Sequence, residues 1–253
     1  MLSPSLKSFH DRIFVLTIPD ELERQASIKR QLGAENFEFE FGLDGRAVSK
    51  DSFINDGIYD EAKAQLTDRH HRKLTLGNIC CSLGHRQIYE KILDSNCKNA
   101  LIFEDDAYAL PASEEEISTA LANIPYDADL VYWGWNGGRF RPRFGQMQQI
   151  IYHLRYWLGA DNFNHTMIRN LYMRRCNEYF DKAAVNFLSH AYTVTRRAAE
   201  ALLKWHTPVI LSADIAMIHA NLSGDIRSYV ARKQLFGQRS IDASDEIESL
   251  TQE

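Results

Sequence analysis

Short apolar runs that alternate with helical patterns constrain the fold of this chain more than any other feature. Five runs are predicted to form buried strands, at residues 12–18, 37–41, 100–103, 129–133 and 191–194. Helical patterns lie between and after them, beginning after Pro19 and near Leu76, Glu114, Arg196 and Asp214. Strands that alternate with helices predict an α/β protein with a largely parallel, doubly wound sheet, in which ligands bind beyond the carboxyl ends of the strands.

Local end signals support three of the predicted helices. Gly33 is placed to end the first helix, and Thr75 is placed to cap the start of the long helix that follows it. Ser113 with Glu116 three residues later predicts a capping box, in which each residue satisfies a backbone N–H of the other. The helix boundaries therefore follow from side-chain chemistry as well as from hydrophobic spacing.

Size and composition predict one globular domain over residues 1–241, followed by an acidic tail at residues 242–253. The 253 residues are 45% hydrophobic and 25% charged, which is typical of a soluble domain. The net charge of −5 argues against nucleic acid as a partner. No run approaches the roughly 18 apolar residues of a membrane span, and the first residues lack the apolar segment of a signal peptide. We therefore expect a cytoplasmic location.

Several common site motifs do not occur. GxGxxG, GxxxxGK[ST] and GxSxG are missing, which disfavours dinucleotide binding, P-loop chemistry and a serine nucleophile elbow. The four cysteines form no CxxC pair, so Cys80 and Cys81 are expected to be reduced packing residues and not part of a disulfide or zinc site. His70, His71 and His85 lack the spaced partners of a zinc site and are expected to be surface or hydrogen-bonding histidines.

Three consecutive acids, Glu104, Asp105 and Asp106, directly follow the strand at residues 100–103. Adjacent carboxylates repel one another, so such an acidic triplet is costly unless a cation or basic side chains neutralise it. Oxygen ligands favour Mg²⁺ or Mn²⁺. If the segment stays extended, Glu104 and Asp106 face the same side and share the metal, while Asp105 points away. The alternative is a solvated acidic loop.

Asp214 lies between apolar residues at the start of the last predicted helix. One interpretation is a helix N-cap, whose carboxylate accepts a bond from a free backbone N–H. The other is a general base that takes a proton from an acceptor hydroxyl, kept ionised by the positive end of the helix dipole. The sequence pattern alone leaves both open.

Four blocks along the chain resemble glycosyltransferase family 25, which includes bacterial lipopolysaccharide β-1,4-galactosyltransferases and collagen galactosyltransferases. They are the opening strand with Arg24 and the Asp44–Gly45 turn, residues 76–85, residues 100–106, and residues 189–199 followed by Asp214. The chain departs from the family pattern at Thr17, Asn78, Cys80 and Gly84, where Asn, Glu, Gly and Ser are usual. These departures leave the metal motif intact and concern the donor pocket.

The resemblance implies a GT-A-like fold, a Rossmann-type mixed sheet flanked by helices, with the acidic triplet as its metal motif. It implies Asp214 as the catalytic residue and Glu104 and Asp106 as ligands of Mn²⁺ or Mg²⁺. Implied donor-binding residues are Thr17, Arg24, Asp44, Gly77, His85, Glu104 and Asp105, with Arg24 and Asp44 at the nucleotide. Implied acceptor-side residues are Trp135, His190 and Tyr192.

Residues 136–180 break the alternation and are predicted to be a helical insertion rich in arginine and aromatic residues. Between residues 139 and 175 there are seven arginines and a single acid, Asp161. Such a segment suits an anionic membrane surface, here the cytoplasmic face of the inner membrane, or the phosphates of a lipid-linked or lipopolysaccharide acceptor. The alternative is an ordinary amphipathic lid with solvated arginines.

The function expected from the resemblance is inverting transfer of a hexose to a saccharide acceptor in lipopolysaccharide or other surface-glycan synthesis. The expected donor is a UDP-sugar, with UDP-galactose favoured, and the acceptor is an oligosaccharide or lipid-linked glycan. One rival is a metal-dependent phosphoryl-transfer or nuclease-like enzyme that uses the same acidic triplet. The other is an inactive binding module for glycan assembly that keeps the fold.

Overall fold

The computed structural model describes residues 1–239, so the predicted tail at residues 242–253 lies outside the described residues. The strands are β1 (Arg12–Thr17), β2 (Glu38–Phe41), β3 (Asn99–Glu104), β4 (Ala107–Ala109), β5 (Leu130–Tyr132), β6 (Asn136–Gly137), β7 (Arg174–Arg175), β8 (Phe180–Lys182), β9 (Asn186–Phe187), β10 (Ala191–Thr195), β11 (Ser228–Ala231) and β12 (Phe236–Gln238). The five predicted strands are thus confirmed, as β1, β2, β3, β5 and β10.

The helices are α1 (Pro4–Phe9), α2 (Leu22–Leu32), α3 (Lys50–Asn55), α4 (Glu61–Thr67), α5 (Leu76–Leu93), α6 (Glu114–Ala122), α7 (Gly145–Trp157), α8 (His165–Arg169), α9 (Arg196–Trp205) and α10 (Ala213–Ser223). The predicted end signals are confirmed. Gly33 ends α2 with a φ of 84°, the Thr75 hydroxyl caps α5, and Ser113 and Glu116 form the capping box of α6. The polar segment that contains α3 and α4 had no helical pattern strong enough to predict them.

The main sheet has eight strands in the order β2-β1-β3-β10-β5-β11-β8-β7. β1 is parallel to β2 and β3, and β5 is parallel to β11, but β10 runs antiparallel between β3 and β5. β8 is antiparallel to both of its neighbours. The expectation of a largely parallel sheet was therefore wrong at β8 and β10, because after the long insertion the chain passes through the sheet in the direction opposite to β5.

Both faces of the sheet are covered, which explains why its strands are continuous apolar runs. Along β1, Phe14 and Leu16 pack into the core shared with α5 and α9, whereas Ile13 and Val15 pack into the opposite core with α2 and α6. Successive side chains of a strand point to opposite faces, so this division is a direct result of strand geometry. The protein is an α/β fold with a large mixed sheet flanked by helices, as in GT-A-like folds.

The insertion at residues 136–180 contains α7 and α8, as predicted, and also the short strands β6 and β7. Phe163, Met167 and Ile168 of this region pack against Ile218 and Leu222 of α10. The insertion is therefore attached to the helix that carries Asp214. No helix within residues 1–239 has the length and apolar character needed to cross a membrane.

Candidate functional site

The acidic triplet lies at the carboxyl end of β3, in the middle of the sheet. β3 ends at Glu104, and Asp105 and Asp106 form a turn that leads into β4. The predicted strand alternation therefore stops at Glu104, because the backbone turns there and does not stay extended. The three carboxylates instead take three different sets of partners.

Glu104 is held by groups from α5 and from the segment before β10. The Ser189 hydroxyl donates a short hydrogen bond to Glu104 Oε1, and His85 Nε2 lies 3.3 Å from the same oxygen. The backbone N–H of Glu104 donates to the His190 carbonyl over 3.0 Å. Burial raises the pKa of Glu104, but the bonds from His85 and Ser189 outweigh it, and the net effect lowers the pKa. Glu104 is therefore a fixed, ionised carboxylate.

His85 is completely buried on α5, and its side chain extends from this helix to Glu104 at the end of β3. Its Nδ1 lies 2.8 Å from the Tyr192 hydroxyl, which in turn lies 2.9 Å from the Tyr89 hydroxyl. Tyr192 and Tyr89 are also buried. His85 and Tyr192 are thus placed to orient Glu104. The donor-side role of His85 and the acceptor-side role of Tyr192 stay predictions.

Asp105 points toward the last residue of β1 and the first turn of α2. It accepts hydrogen bonds from Thr17 Oγ1 over 2.6 Å and from an Arg24 guanidinium nitrogen over 3.3 Å. Burial raises the pKa of Asp105 to about 6, against the lowering effect of these two donors. Three of the predicted donor-side residues, Thr17, Arg24 and Asp105, are therefore in direct contact.

A chain of ion pairs extends from Arg24 to Asp44. Glu21 lies 3.7 Å from Arg24 and 3.6 Å from Arg46, and Arg46 pairs with Asp44 at 2.9 Å. The hydrogen bond from Arg46 lowers the pKa of Asp44. Glu21 and Arg46, which the sequence pattern did not single out, thus connect the two residues that the resemblance places at the nucleotide.

Asp44 and Gly77 lie near each other because the turn after β2 packs on the start of α5. The Asp44 carboxylate accepts from the Arg46 N–H and caps the short 3-10 helix Gly45–Ala47. A Cβ added at Gly45 would lie 3.6 Å from the Gly77 backbone nitrogen, so the two backbones approach closely. The residues predicted for the donor side therefore lie on β1, α2, this turn and the first turn of α5.

Asp106 is buried and contacts the end of β12. The Gln238 side chain donates to Asp106 Oδ2 over 3.1 Å, and the Arg239 N–H donates to the Asp106 carbonyl over 3.0 Å. Gln238 follows Asp106 by 132 residues, and no local pattern marked it. Long-range packing thus sets the surroundings of the third carboxylate.

Asp214 lies in the first turn of α10. Ser212 occupies the N-cap position, so the N-cap interpretation of Asp214 is wrong. Asp214 Oδ1 accepts hydrogen bonds from the Ser212 hydroxyl over 2.7 Å and from the Ile215 N–H over 2.8 Å. Both bonds orient the carboxylate at the positive end of the helix, where negative charge is stabilised.

The charges of the acidic triplet and of Asp214 converge on Cys81. Burial raises the pKa of this thiol well above its ordinary value, and the charges of Glu104, Asp214, Asp106 and Asp105 raise it further, in that order. Geometry gives an independent link between Asp214 and the acidic triplet, because Ser82, beside Cys81 on α5, donates to the Leu211 carbonyl over 3.1 Å. The segment before α10 therefore packs on the part of α5 from which His85 reaches Glu104.

Cys81, His85 and Glu104 also bring three possible metal ligands within 4.8 Å of one another. Cys81 and His85 are four residues apart on one face of α5, and Glu104 comes from β3. The expectation that His85 lacks partner ligands was thus wrong. Thiolate and imidazole are softer ligands than carboxylate and suit Zn²⁺ better than Mg²⁺, so this group is an alternative to a site formed by oxygen atoms alone. Cys80, in contrast, is buried in the core, as predicted.

The remaining acceptor-side candidates lie beside β11 and β12. The Trp135 indole N–H donates to the Ala231 carbonyl over 2.9 Å, and the ring is half-buried. His190 is buried, with Nε2 3.3 Å from the Phe236 carbonyl. Their role toward an acceptor stays a prediction.

Comparisons with known proteins point to one family. Residues 10–217 match the sequence model of glycosyltransferase family 25, described as an LPS biosynthesis protein. A glycosyltransferase 25 family member of Drosophila melanogaster is 28% identical over 134 residues, which cover 49% of this chain and 21% of that protein. A family member of Aedes aegypti is 26% identical over 135 residues, 52% of this chain and 22% of that protein. The matched region thus spans about a fifth of the length of these relatives.

Proposed function

The chain belongs to glycosyltransferase family 25, and we propose that it transfers a hexose, with inversion, at the site between the acidic triplet and Asp214. A glycosyltransferase uses a nucleotide-sugar donor and a glycan acceptor. We propose UDP-galactose as the donor and a lipopolysaccharide or other surface glycan as the acceptor, in the cytoplasm. The observation that carries the proposal is the acidic triplet at the carboxyl end of β3, where Asp105 contacts Arg24 and Glu104 is held by His85 and Ser189.

A divalent cation fits the chemistry of this site. The acidic triplet and Asp214 concentrate negative charge where Arg24 is the neighbouring guanidinium, and carboxylate oxygens are the ligands that Mn²⁺ and Mg²⁺ prefer. Glu104 and Asp106 are the proposed ligands. A bound ion would neutralise the charge that develops on the leaving diphosphate. Ser189 and His85 fix Glu104 before any ligand binds, which reduces the reorganisation needed on binding.

The donor side is proposed to be the surface between Arg24 and Asp44. Asp105 and Glu21 hold the Arg24 guanidinium, and Arg46 holds Asp44. These ion pairs restrict the side chains that would contact the nucleotide. Preorganised groups lose less conformational entropy when the donor binds.

Asp214 is the proposed general base. Its Oδ1 accepts hydrogen bonds from Ser212 and Ile215, which supports Oδ2 as the atom that takes the proton. As the acceptor oxygen forms its bond to the anomeric carbon, the bond from that carbon to the diphosphate oxygen breaks, and the acceptor proton moves to Asp214. Attack from the face opposite the leaving group inverts the configuration.

The test is transfer from UDP-galactose by the Asp106→Asn variant across a titration of Mn²⁺. We expect the variant to lose transfer while its circular dichroism spectrum stays that of the wild type. Asp56→Asn, at an exposed acid beyond the site, is the matched control and should keep full activity. Turnover of Asp106→Asn with unchanged metal dependence would refute its assigned role.

The two rivals differ from this proposal in what releases the nucleotide. A phosphoryl-transfer enzyme would release it without any sugar acceptor, whereas a transferase releases it fastest when the acceptor is present. An inactive binding module would not hydrolyse or transfer the donor even with Mn²⁺. Nucleotide release measured with and without an oligosaccharide acceptor, in the wild type and in Asp106→Asn, separates the three.

A further inference from the structure

Helix α7 turns its apolar face outward. Met147, Ile150, Ile151, Leu154 and Leu158 recur at the spacing of one helix face, yet each exposes half or more of its side chain. Phe144 at the start and Trp157 at the end of the helix extend this surface and are 68% and 78% exposed. These seven residues form the α7 face. Contiguous exposed apolar surface of this kind marks an interaction site and not an ordinary solvated face.

The inward side of α7 is mostly polar or small, with the half-buried Tyr152 packed against the apolar cluster of α8 and α10. Gln149 is buried and donates from its amide to the Ile168 carbonyl over 2.6 Å, and His153 lies 2.8 Å from His165. Gly145 is buried at the first turn. The helix is thus attached to α8 by hydrogen bonds on the side where an amphipathic helix normally places its apolar residues. The outward apolar face is therefore not explained by packing within the described part of the chain.

The surroundings of the α7 face are cationic. All seven arginines between residues 139 and 175 are exposed. The acid of this segment, Asp161, has a side chain that is 1% exposed and pairs with Arg69 at 2.9 Å, so its charge does not offset them at the surface. Within residues 1–239, Arg139, Arg141, Arg143, Arg169 and Arg174 form no ion pair with a carboxylate.

We propose that the α7 face docks this protein on the surface of an anionic lipid bilayer, with the α7 side chains among the acyl chains and the arginines at the headgroups. An apolar helix face bordered by arginine is what an interfacial helix requires. A second copy of the chain fits less well, because pairing two α7 faces would bring two sets of unpaired arginines together. The charge pattern complements anionic headgroups.

The docked orientation has a consequence for the active site, which rests on the proposed function. α7 packs on α8, and Met167 and Ile168 of α8 pack against α10, whose first turn carries Asp214. Docking would therefore hold the proposed base close to the membrane surface, where a lipid-linked acceptor lies. The docking itself does not depend on catalysis.

The test is co-sedimentation of the full chain with vesicles of phosphatidylcholine alone or of phosphatidylcholine with about 30% anionic phosphatidylglycerol. The Leu154→Ser/Trp157→Ser variant should lower partition to anionic vesicles by about tenfold or more. The matched control is Leu22→Ser/Tyr126→Ser, because Leu22 and Tyr126 are 69% and 101% exposed and lie outside the insertion. It should bind as the wild type does, and thermal melting should show that both variants are folded.

The electrostatic part is tested separately. Arg141→Gln/Arg143→Gln should weaken binding to anionic vesicles. Lys29→Gln/Arg30→Gln, which removes two exposed cations on α2, should leave that binding unchanged. Equal binding of wild type and Leu154→Ser/Trp157→Ser would overturn the proposal. So would a wild type that ignores vesicles but sediments as a dimer that this variant makes monomeric, because the α7 face would then be a contact between copies. Failure of sugar transfer in any variant bears on the proposed function and not on docking.

Discussion

Thr17 Oγ1 donates a hydrogen bond to Asp105 Oδ2 over 2.6 Å and so connects the end of β1 to the turn that follows β3. Both side chains are buried. A buried carboxylate depends on such donors, since burial disfavours its charged form. The bond therefore fixes the middle carboxylate of the acidic triplet and, through Asp105, the Arg24 guanidinium on the donor side.

The variant Thr17→Val should lower the free energy of unfolding by roughly 1–3 kcal/mol, because it leaves a buried carboxylate without one of its donors. It should also weaken UDP-sugar binding, since Arg24 loses a fixed partner. Urea unfolding and calorimetric titration measure the two effects. Thr119→Val, at a half-buried position of α6, should change neither quantity. If Thr17→Val also left the free energy of unfolding and the donor affinity unchanged, the bond to Asp105 would contribute to neither.

The variant Asp214→Asn should bind the donor as the wild type does but lose transfer. An amide keeps the size of the side chain and can still be hydrogen-bonded, yet it cannot accept the proton of the acceptor hydroxyl. Asp51→Asn, in the first turn of α3, is the matched control for the helix-dipole contribution. Donor affinity from titration and transfer rate from product formation decide the case, and a normal transfer rate in Asp214→Asn would exclude it as the base.

The variant Cys81→Ala tests which ligands hold the metal. If carboxylate oxygens of the acidic triplet bind the ion, the variant should keep its Mn²⁺ activation, and the wild type loaded with Co²⁺ should show no thiolate-to-metal charge-transfer band. Cys176→Ala, at an exposed cysteine, controls for adventitious binding. A band that disappears in Cys81→Ala and persists in Cys176→Ala would instead assign the ion to Cys81, His85 and Glu104.

The buried His10 should make the folded protein less stable in mild acid. Burial lowers its pKa from 6.5 to about 4, against the opposing effects of the Leu6 carbonyl and Asp11. Between these values the unfolded chain binds more protons than the folded one, so the free energy of unfolding falls as the pH falls. From pH 6.5 to 5 the contribution is roughly 2 kcal/mol.

The variant His10→Gln should therefore show a smaller decrease of the unfolding free energy than the wild type over this pH range. Urea unfolding at several pH values measures the difference in slope. His70→Gln, at an exposed histidine, should keep the wild-type slope. Identical slopes for His10→Gln and the wild type would mean that His10 titrates normally in the folded state.

The strands and helix ends could be predicted because their signals are local. The apolar runs of β1 and β3, the Thr75 cap and the Ser113–Glu116 capping box are each contained in a few neighbouring residues. The antiparallel direction of β10 could not be predicted in the same way. It depends on which strand lies beside β3, and that is decided by tertiary packing.

The candidate site shows the same limit. The acidic triplet and Asp214 were visible because charged residues next to a buried strand or helix start are unusual. Ser189 and Gln238 were not, because they follow their carboxylate partners by 85 and 132 residues and are ordinary polar residues. For α7, the composition of residues 136–180 predicted a helical insertion, but nothing in it tells which face of a helix turns toward the protein.

The most direct test of the central claim is the melting temperature of the protein with UDP-galactose, with and without Mn²⁺, for the wild type and for Asp106→Asn. A ligand that binds only the folded state at 100 times its Kd adds about 2.7 kcal/mol of stability, which raises the melting temperature by several degrees. The account predicts this rise for the wild type with donor and Mn²⁺ together, and its loss in Asp106→Asn. An equal rise without metal, or in Asp106→Asn, would contradict the claim that the acidic triplet holds the donor through a divalent ion.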